Sequence, residues 1–398
     1  MCSSDLLQVG PLLIMAVSRL DHIPGINVDR VGDAADAAHD PDILRLENMD
    51  TDIPPPKVAI LATHQAIEND ACNSYLPFLG QDALRQAATQ HVSKLSGVAY
   101  DWRGQCVISA GGLNGILNTL LALLEPGDEV VTGDPIYAGL LNRIRLAGGV
   151  PKLVPFIPDK TGWRLDLDAL KNAGSARTRM VLMVNPSFPT GAHLSREDWQ
   201  QIAAFCQSTK AWLLYDAALE RIAFDGRPYL HPASLDGMAE RTITVGCVTK
   251  EYRMIGWRVG WVVGPAAVIK DVGLVSLTNT CCQVGIAMPG AAAALTSAED
   301  DVPAAVAEWQ RRRDVLLDEL SGLPVVPPHG GWCLLMNLKK LGMDGETASR
   351  LLMEKGKIAA TPMRDWGQQG ADYIRFVYAN EPVHRLKGVR ERMRACGF

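Results

Sequence analysis

RTITVGCVTKEYRMIGWRVGWVV, residues 241–263, decides how this chain is organised. An apolar, strand-like run ends at Val245. A turn of small residues, Gly246-Cys247-Val248-Thr249, leads to Lys250. Gly256-Trp257-Arg258 then presents an arginine before a second apolar run, Val259 to Val263. A lysine at the end of a buried strand is costly unless it loses its charge or gains a partner. Lysines in that setting are the ones used for Schiff bases. A nearby arginine suits a phosphate, because its planar fork binds two oxygens at once. The plain alternative is a surface hairpin with ordinary charges, and the surrounding chain has to choose between them.

Upstream, strand and helix signals alternate. Val107 to Ser109 reads as a strand end, and Asn114 to Leu124 as a helix stopped by Glu125-Pro126-Gly127-Asp128. Glu129 to Thr132 is a strand, and Tyr137 to Ala147 a helix closed by Gly148-Gly149. Met180 to Val184 is a wholly apolar strand. Leu194 to Ser208 is a helix with Ser195 as N-cap and Asp198 completing a capping box. Ala211 to Tyr215 and Thr242 to Val245 are further strands. Apolar strands alternating with helices predict an α/β fold, a mostly parallel sheet flanked by helices on both faces. Such sheets bind ligands beyond the carboxyl ends of their strands.

After about residue 300 the pattern becomes that of a smaller α+β domain. It comprises a helix from Val306 to Leu320, short strands near Trp332–Leu338 and Tyr373–Val377, and a final helix from Val383 to Ala395. Residues 15–60 lack strong periodicity and end in Pro54-Pro55-Pro56, as an arm or the first piece of a domain completed elsewhere. Val58 to Asn69 and Asp82 to Lys94 have helical character. The expected division is a large domain at 61–295, and a small domain built from 15–60 and 296–398.

Composition narrows the function classes. With 398 residues, 47% of them apolar, the chain can bury two cores. A net charge of −5 argues against a nucleic acid or an anionic membrane as partner. Nine cysteines without metal-site spacing point to a reducing compartment, the cytoplasm. Eight dispersed histidines disfavour metal-dependent hydrolysis. The apolar stretch Val9–Val17 is too short to span a bilayer and lacks a basic flank, and Met15 is as plausible an initiator as Met1.

The strand ends carry the chemistry. Ser109-Ala110-Gly111-Gly112-Leu113 opens a helix, whose free N–H groups and dipole suit an anion, although a glycine pair alone reads equally as a tight turn. Gly133-Asp134-Pro135-Ile136-Tyr137 brings an aromatic to the same crevice. Asn185-Pro186-Ser187-Phe188-Pro189-Thr190-Gly191 follows the 180–184 strand, and Asp216 follows WLLY as a helix cap or a buried ion partner.

Together SYLPFLG, ISAGGLNGIL, EPGDEVVTGDPIY, NPSFPTG, LLYDAALERIAFDG, TKEYRMIGWRVGW, PHGGW and YIRFVY, in this order, resemble the class I/II aminotransferases. These are the aspartate aminotransferase-like, fold-type-I enzymes that use pyridoxal 5′-phosphate. The resemblance runs from about Pro24 to the C-terminus. It implies an amino-group transfer between an α-amino acid and a 2-oxo acid, with Lys250 forming the internal aldimine and shuttling the α-proton. It implies that Asp216 pairs with the pyridinium nitrogen and that Tyr137 stacks on the ring. Gly111, Gly112 and Leu113 would cradle the phosphate, which Thr249 and Arg258 clamp. Cys247 replaces a common serine near that phosphate. Tyr75 would reach the phosphate of a neighbouring subunit in a homodimer, and Arg375 would fork onto the substrate α-carboxylate.

Two positions depart from the family pattern. Phe188 stands where the family has asparagine, and Leu219 where it has tyrosine. Both usual residues donate to the cofactor's O3′ oxygen. Losing them predicts a raised aldimine pKa, unless Asn185, Tyr252 or Asn114 supplies a donor. Two other readings on the same fold stay open. One is a pyridoxal-phosphate lyase, cyclase or oxidase of specialised amino-acid metabolism, and the other a non-catalytic binding protein. Trp332 and Met49, with the apolar substitutions, point to a hydrophobic or neutral substrate.

Overall fold

Eight strands form the central sheet, in the order 106–109, 260–263, 242–247, 212–216, 178–184, 129–134, 150–158 and 163–165. The successive pairings from 242–247 to 150–158 are all parallel. Only 260–263 and 163–165 run against the rest. The computed structural model describes residues 20–298 and 301–398, so the apolar stretch at 9–17 and the alternative start at Met15 lie outside the described residues.

The strand Thr178–Val184 shows why these runs make a parallel sheet. Every residue but Arg179 is buried, as a strand covered on both faces requires. Helices Gly112–Leu123, Ala138–Leu146 and Ala266–Thr280 cover one face, where Ile116, Leu120, Leu140, Ile144, Val268 and Val272 pack on Leu182, Leu214 and Val262. Helix Arg196–Thr209 covers the other, with Trp199 wholly buried, and its Ser195 forms the predicted capping box with Asp198. Helices Asp82–Ser96 and Met288–Ser297 extend that layer.

A second, four-stranded antiparallel sheet is ordered 325–326, 333–337, 373–377, 361–362. Its core gathers Trp309, Trp332, Leu352 and Phe376 together with Leu44 and Leu46 from near the N-terminus. Leu44–Arg45 also pairs in parallel with Ile358–Ala359, so early and late segments share one core. Among the described residues no helix is long and apolar enough to cross a membrane.

Several elements differ from the sequence expectation, among them three whose physical reason is plain. Asn27–Ala38, expected to lack regular structure, is a helix. Its alanine content gives it helix propensity without a broad apolar stripe, and only Val31 and Ala35 are buried on it. The strand Val150–Pro158 was not expected, because Pro151, Pro155 and Pro158 disguise it. It lies near the sheet edge and is paired on its outer side only at 156–158, where missing N–H donors cost little. The final helix is two, Val383–Leu386 and Val389–Ala395, interrupted at Gly388 with φ of 103°.

Candidate active site

Because the sheet is largely parallel, five strands deliver their carboxyl ends to one edge. There 106–109 leads to Gly111, 129–134 to Tyr137, 178–184 to Phe188, 212–216 to Asp216 and 242–247 to Lys250. They surround a cavity of about 410 Å³. Gly112, Leu113, Tyr137, Asp216, Cys247, Thr249, Lys250, Arg258 and Arg375 all line it.

Lys250 is partly buried and has no carboxylate partner among the described residues. Its Nζ donates to the Met49 carbonyl at 2.7 Å and lies 4.7 Å from the centre of the Trp332 ring. Burial lowers its pKa to about 8, so a usable fraction of the amine is neutral near neutral pH. Asp216 is buried at the end of its strand. Its Oδ1 accepts from the Ala218 N–H at 3.1 Å, and it has no cationic partner among the described residues. Burial raises its pKa to about 6, with the Ala218 N–H opposing and Glu220 reinforcing. A buried carboxyl held this way favours a cationic N–H placed beside it.

An anion cradle flanks these groups. Gly111 is the N-cap of helix Gly112–Leu123, with φ of 82° and no side-chain cap, so the helix's first N–H groups remain available. A Cβ on Gly111 would sit 2.5 Å from Arg258 Nη2, which places the guanidinium directly over the cradle. Arg258 is exposed, donates from Nη1 to the Ile255 carbonyl at 3.0 Å, and has no ion pair among the described residues. Its φ of 52° is an unusual backbone state for a residue other than glycine. Gly260 backs the cradle: a Cβ there would lie 2.7 Å from Gly111 C and 2.8 Å from Gly112 N.

Arg375 brings a second cation to the cavity from the smaller sheet. It is buried, and its Nη2 donates to the Glu47 carbonyl and, at 3.1 Å, to Thr361 Oγ1. Its Nε is buried without a partner among the described residues. The cavity therefore gathers an amine with a lowered pKa, two arginines that could take anions and a buried carboxyl. Such a site suits carbonyl chemistry on a molecule that carries phosphate, together with a substrate that carries a carboxylate.

The expected residues do not all meet. Asn185 does not line the cavity. Its Oδ1 accepts from Leu194 N at 2.8 Å, and its Nδ2 is buried without a partner. Neither Asn114 nor Tyr252 lines the cavity: Asn114 Oδ1 accepts from Ala110 N, and the Tyr252 hydroxyl accepts from Arg221 at 2.8 Å. Tyr75 is 83% exposed and lies outside the cavity of its own chain. Sequence reasoning missed Ile26, Val28, Asp29 and Asn48 on the cavity wall, and Gly260 and Trp366 behind it. Only Gly260 carried a local signal, as a glycine inside a strand often marks a close backbone approach.

Residues 42–392 match the model of the family described as "Aminotransferase class I and II". The chain is 31% identical over 323 residues to the aromatic-amino-acid aminotransferase 2 of Thermococcus litoralis, covering 80% of this chain and 82% of that one. It is 33% identical over 360 residues to a probable N-succinyldiaminopimelate aminotransferase of Mycobacterium tuberculosis, covering 85% and 90%. The solved N-succinyldiaminopimelate aminotransferase from Mycobacterium tuberculosis superposes with a TM-score of 0.90 at 29% identity, over 96% of this chain and 100% of that one. The Thermus thermophilus aspartate aminotransferase solved with maleate gives 0.88 at 26% identity, over 96% and 99%.

Proposed function

This chain belongs to the class I and II aminotransferase family, and from that premise we propose how its own residues divide the work. It is a pyridoxal 5′-phosphate-dependent aminotransferase that moves amino groups between amino acids and oxo acids. The residues fit that cofactor. The glycine cradle leaves no room for a Cβ at Gly111, and among the described residues Arg258 has no competing carboxylate and the buried Asp216 no cation of its own. The cofactor, when bound, supplies an aldehyde to take up the amino group and a ring to accept the electron pair left when the Cα–H bond breaks.

Lys250 is the nucleophilic amine and carries the proton away from the substrate Cα. Asp216 holds a proton on the ring nitrogen. The N–H groups of Gly112 and Leu113, the Thr249 hydroxyl and the Arg258 guanidinium hold the phosphate, with Gly111 and Cys247 shaping the cradle. Tyr137 forms a wall beside the ring, and Arg375 takes the substrate α-carboxylate. One observation carries this reading: Lys250, with its lowered pKa, shares one cavity with two arginines that have no ion pair among the described residues.

The amino donor we propose has a neutral or hydrophobic side chain. Ile26, Val28, Met49 and Ile255 line the cavity beside Phe188 and Leu219, and Asp29 there repels a distal carboxylate. Exposed Leu61, Ile67, Tyr75, Phe78, Leu274 and Val284 support a homodimer whose partner receives Tyr75. Free cysteines, including Cys281 and Cys282, support a cytoplasmic location. The two sheets and their cores support a large domain at 61–295 and a small one from 15–60 with 296–398.

The test is the visible spectrum of the holoenzyme with a panel of amino acids and no acceptor, beside Lys250→Ala. Conversion to the pyridoxamine form with neutral donors, lost in Lys250→Ala, is expected. A response confined to dicarboxylic donors would overturn the substrate assignment. Ammonia released without an acceptor would establish a lyase or oxidase activity. Sedimentation at micromolar concentration tests the dimer, and a monomer would refute it.

A further inference from the structure

Arg375 poses a physical problem. It is buried, no ion pair among the described residues neutralises it, and its Nε lacks a partner. A buried guanidinium left so open must be held by something other than a carboxylate. Its Nη2 donates to the Glu47 carbonyl and to Thr361 Oγ1, neither of which carries a charge, and the rest of the guanidinium faces aromatic rings. Its Cζ lies 4.8 Å from the centre of the Trp366 ring and 5.4 Å from that of Phe188. Those two rings meet edge to face at 5.4 Å, with 73° between their planes. Tyr137 closes the cluster at 5.5 Å from Phe188 and 5.2 Å from Trp366.

We propose that Phe188 and Trp366 are positioning residues that hold Arg375 by cation–π contact and keep the donors not used by Glu47 and Thr361 free for the substrate carboxylate. An aromatic face attracts the cation without using its N–H donors, and the attraction strengthens when water is excluded. A carboxylate or amide in the same place would occupy those donors and compete with substrate. The box also sets a distance. Tyr137 and Phe188 follow strands of the central sheet, which carries Lys250, whereas Arg375 lies on the smaller sheet and Trp366 follows the 361–362 strand of that sheet. Ring packing across this boundary fixes how far the α-carboxylate sits from the amine that serves its Cα. Phe188, an apolar residue at a polar position of the family pattern, thus acquires a role in binding.

The proposal rests on the assignment of Arg375 to the α-carboxylate, and the experiment separates the two. Holoenzymes of Phe188→Leu, Trp366→Leu, Trp366→Phe and Arg375→Leu are compared for donor KM, for kcat, and for the Kd of an unreactive monocarboxylate read from the cofactor absorbance. Each reaction is repeated with a primary amine that lacks the carboxylate. Phe188→Leu and Trp366→Leu are expected to raise donor KM and monocarboxylate Kd about tenfold. Little change is expected in kcat or in the reaction of the amine. Trp366→Phe, which keeps a ring face, is expected to recover most of the loss. Equal losses for amino acid and amine would mean general damage and overturn the proposal. So would unchanged KM and Kd in both leucine variants while Arg375→Leu loses carboxylate binding. Unchanged carboxylate binding in Arg375→Leu would overturn the assignment of Arg375 itself. If Trp366→Leu fails to fold, Phe188→Leu, at a half-buried position, decides alone.

Discussion

Gly111 and Gly112 are adjacent glycines that should respond oppositely to alanine. At Gly111 the backbone has φ of 82°, and a Cβ would stand 2.5 Å from Arg258 Nη2 and 3.0 Å from its Cζ. The left-handed backbone alone costs about 1–2 kcal/mol for a residue with a Cβ. The guanidinium is the movable partner, so it would swing away and relieve the clash at the expense of the phosphate clamp. Losing one charge-assisted contact is worth about 1.5–3 kcal/mol, or roughly 10- to 150-fold in cofactor affinity. At Gly112 the conformation is helical, and a Cβ would meet Cys247 Sγ at 3.5 Å, an ordinary contact. Alanine is there a better helix former than glycine by about 0.5–1 kcal/mol. Titrating cofactor-free protein with pyridoxal 5′-phosphate, followed by fluorescence, gives both affinities, and thermal denaturation of the same samples gives both stabilities. Gly111→Ala should lower both, and Gly112→Ala neither. Normal affinity in Gly111→Ala would refute the placement of Arg258 over the cradle.

Three further outcomes follow from the geometry. In cofactor-free protein the pKa of Lys250, about 8, lies below its ordinary 10.5, so the unfolded chain holds more protons between those values. Stability against urea should therefore rise from pH 8 towards 10.5, and this rise should vanish in Lys250→Met; Asp216, raised to about 6 from 3.8, should make stability fall as pH climbs between those values. Leu219→Tyr returns a hydroxyl to the cavity wall and, on the proposed assignment, should lower the pKa of the cofactor's imine nitrogen by about one unit or more, read as a shifted midpoint in an absorbance titration. Ser195→Ala removes the side-chain half of a capping box remote from the cavity, leaving the backbone N–H of residue 195 on Asp198, and should cost about 1 kcal/mol in stability while leaving cofactor affinity unchanged, which denaturation and titration check together.

The sequence disclosed whatever depends on local pattern. Strand 178–184 announced itself because a doubly covered strand is apolar throughout, and Ser195 with Asp198 because a capping box spans four residues. The strand ends carrying Lys250, Asp216 and Gly111 were legible for the same reason, since parallel topology gathers such ends on one edge. Glu47 and Thr361 were not legible, although both hold Arg375. They approach it from distant segments, and nothing beside them in the chain marks the meeting. Strand 150–158 was hidden because proline is usually a strand breaker, and only sheet order reveals that its outer side is mostly unpaired. Asn185, offered by the sequence as a possible donor to the cofactor, lies off the cavity wall. Its carbonyl oxygen instead accepts from Leu194 N and ties the loop to the segment before helix Arg196–Thr209.

Phe188 and Leu219 look alike in the sequence, as two donors lost, but the structure gives them different work. Leu219 lies in the core of the smaller sheet, and its Cδ1 is 3.9 Å from where a Cβ of Gly331 would stand. On the proposed assignment its effect on a bound cofactor is to withhold a hydrogen bond, while its side chain packs at the seam between the sheets. Phe188 packs into the central-sheet cores and that of the smaller sheet, and also faces Arg375. The two replacements are therefore separable. Restoring a hydroxyl at 219 should change the acid–base behaviour of the cofactor with little effect on carboxylate binding, whereas removing the ring at 188 should do the reverse. If either substitution moved both properties together, the wall would act as one unit and the distinction between an electronic and a positioning role would fail.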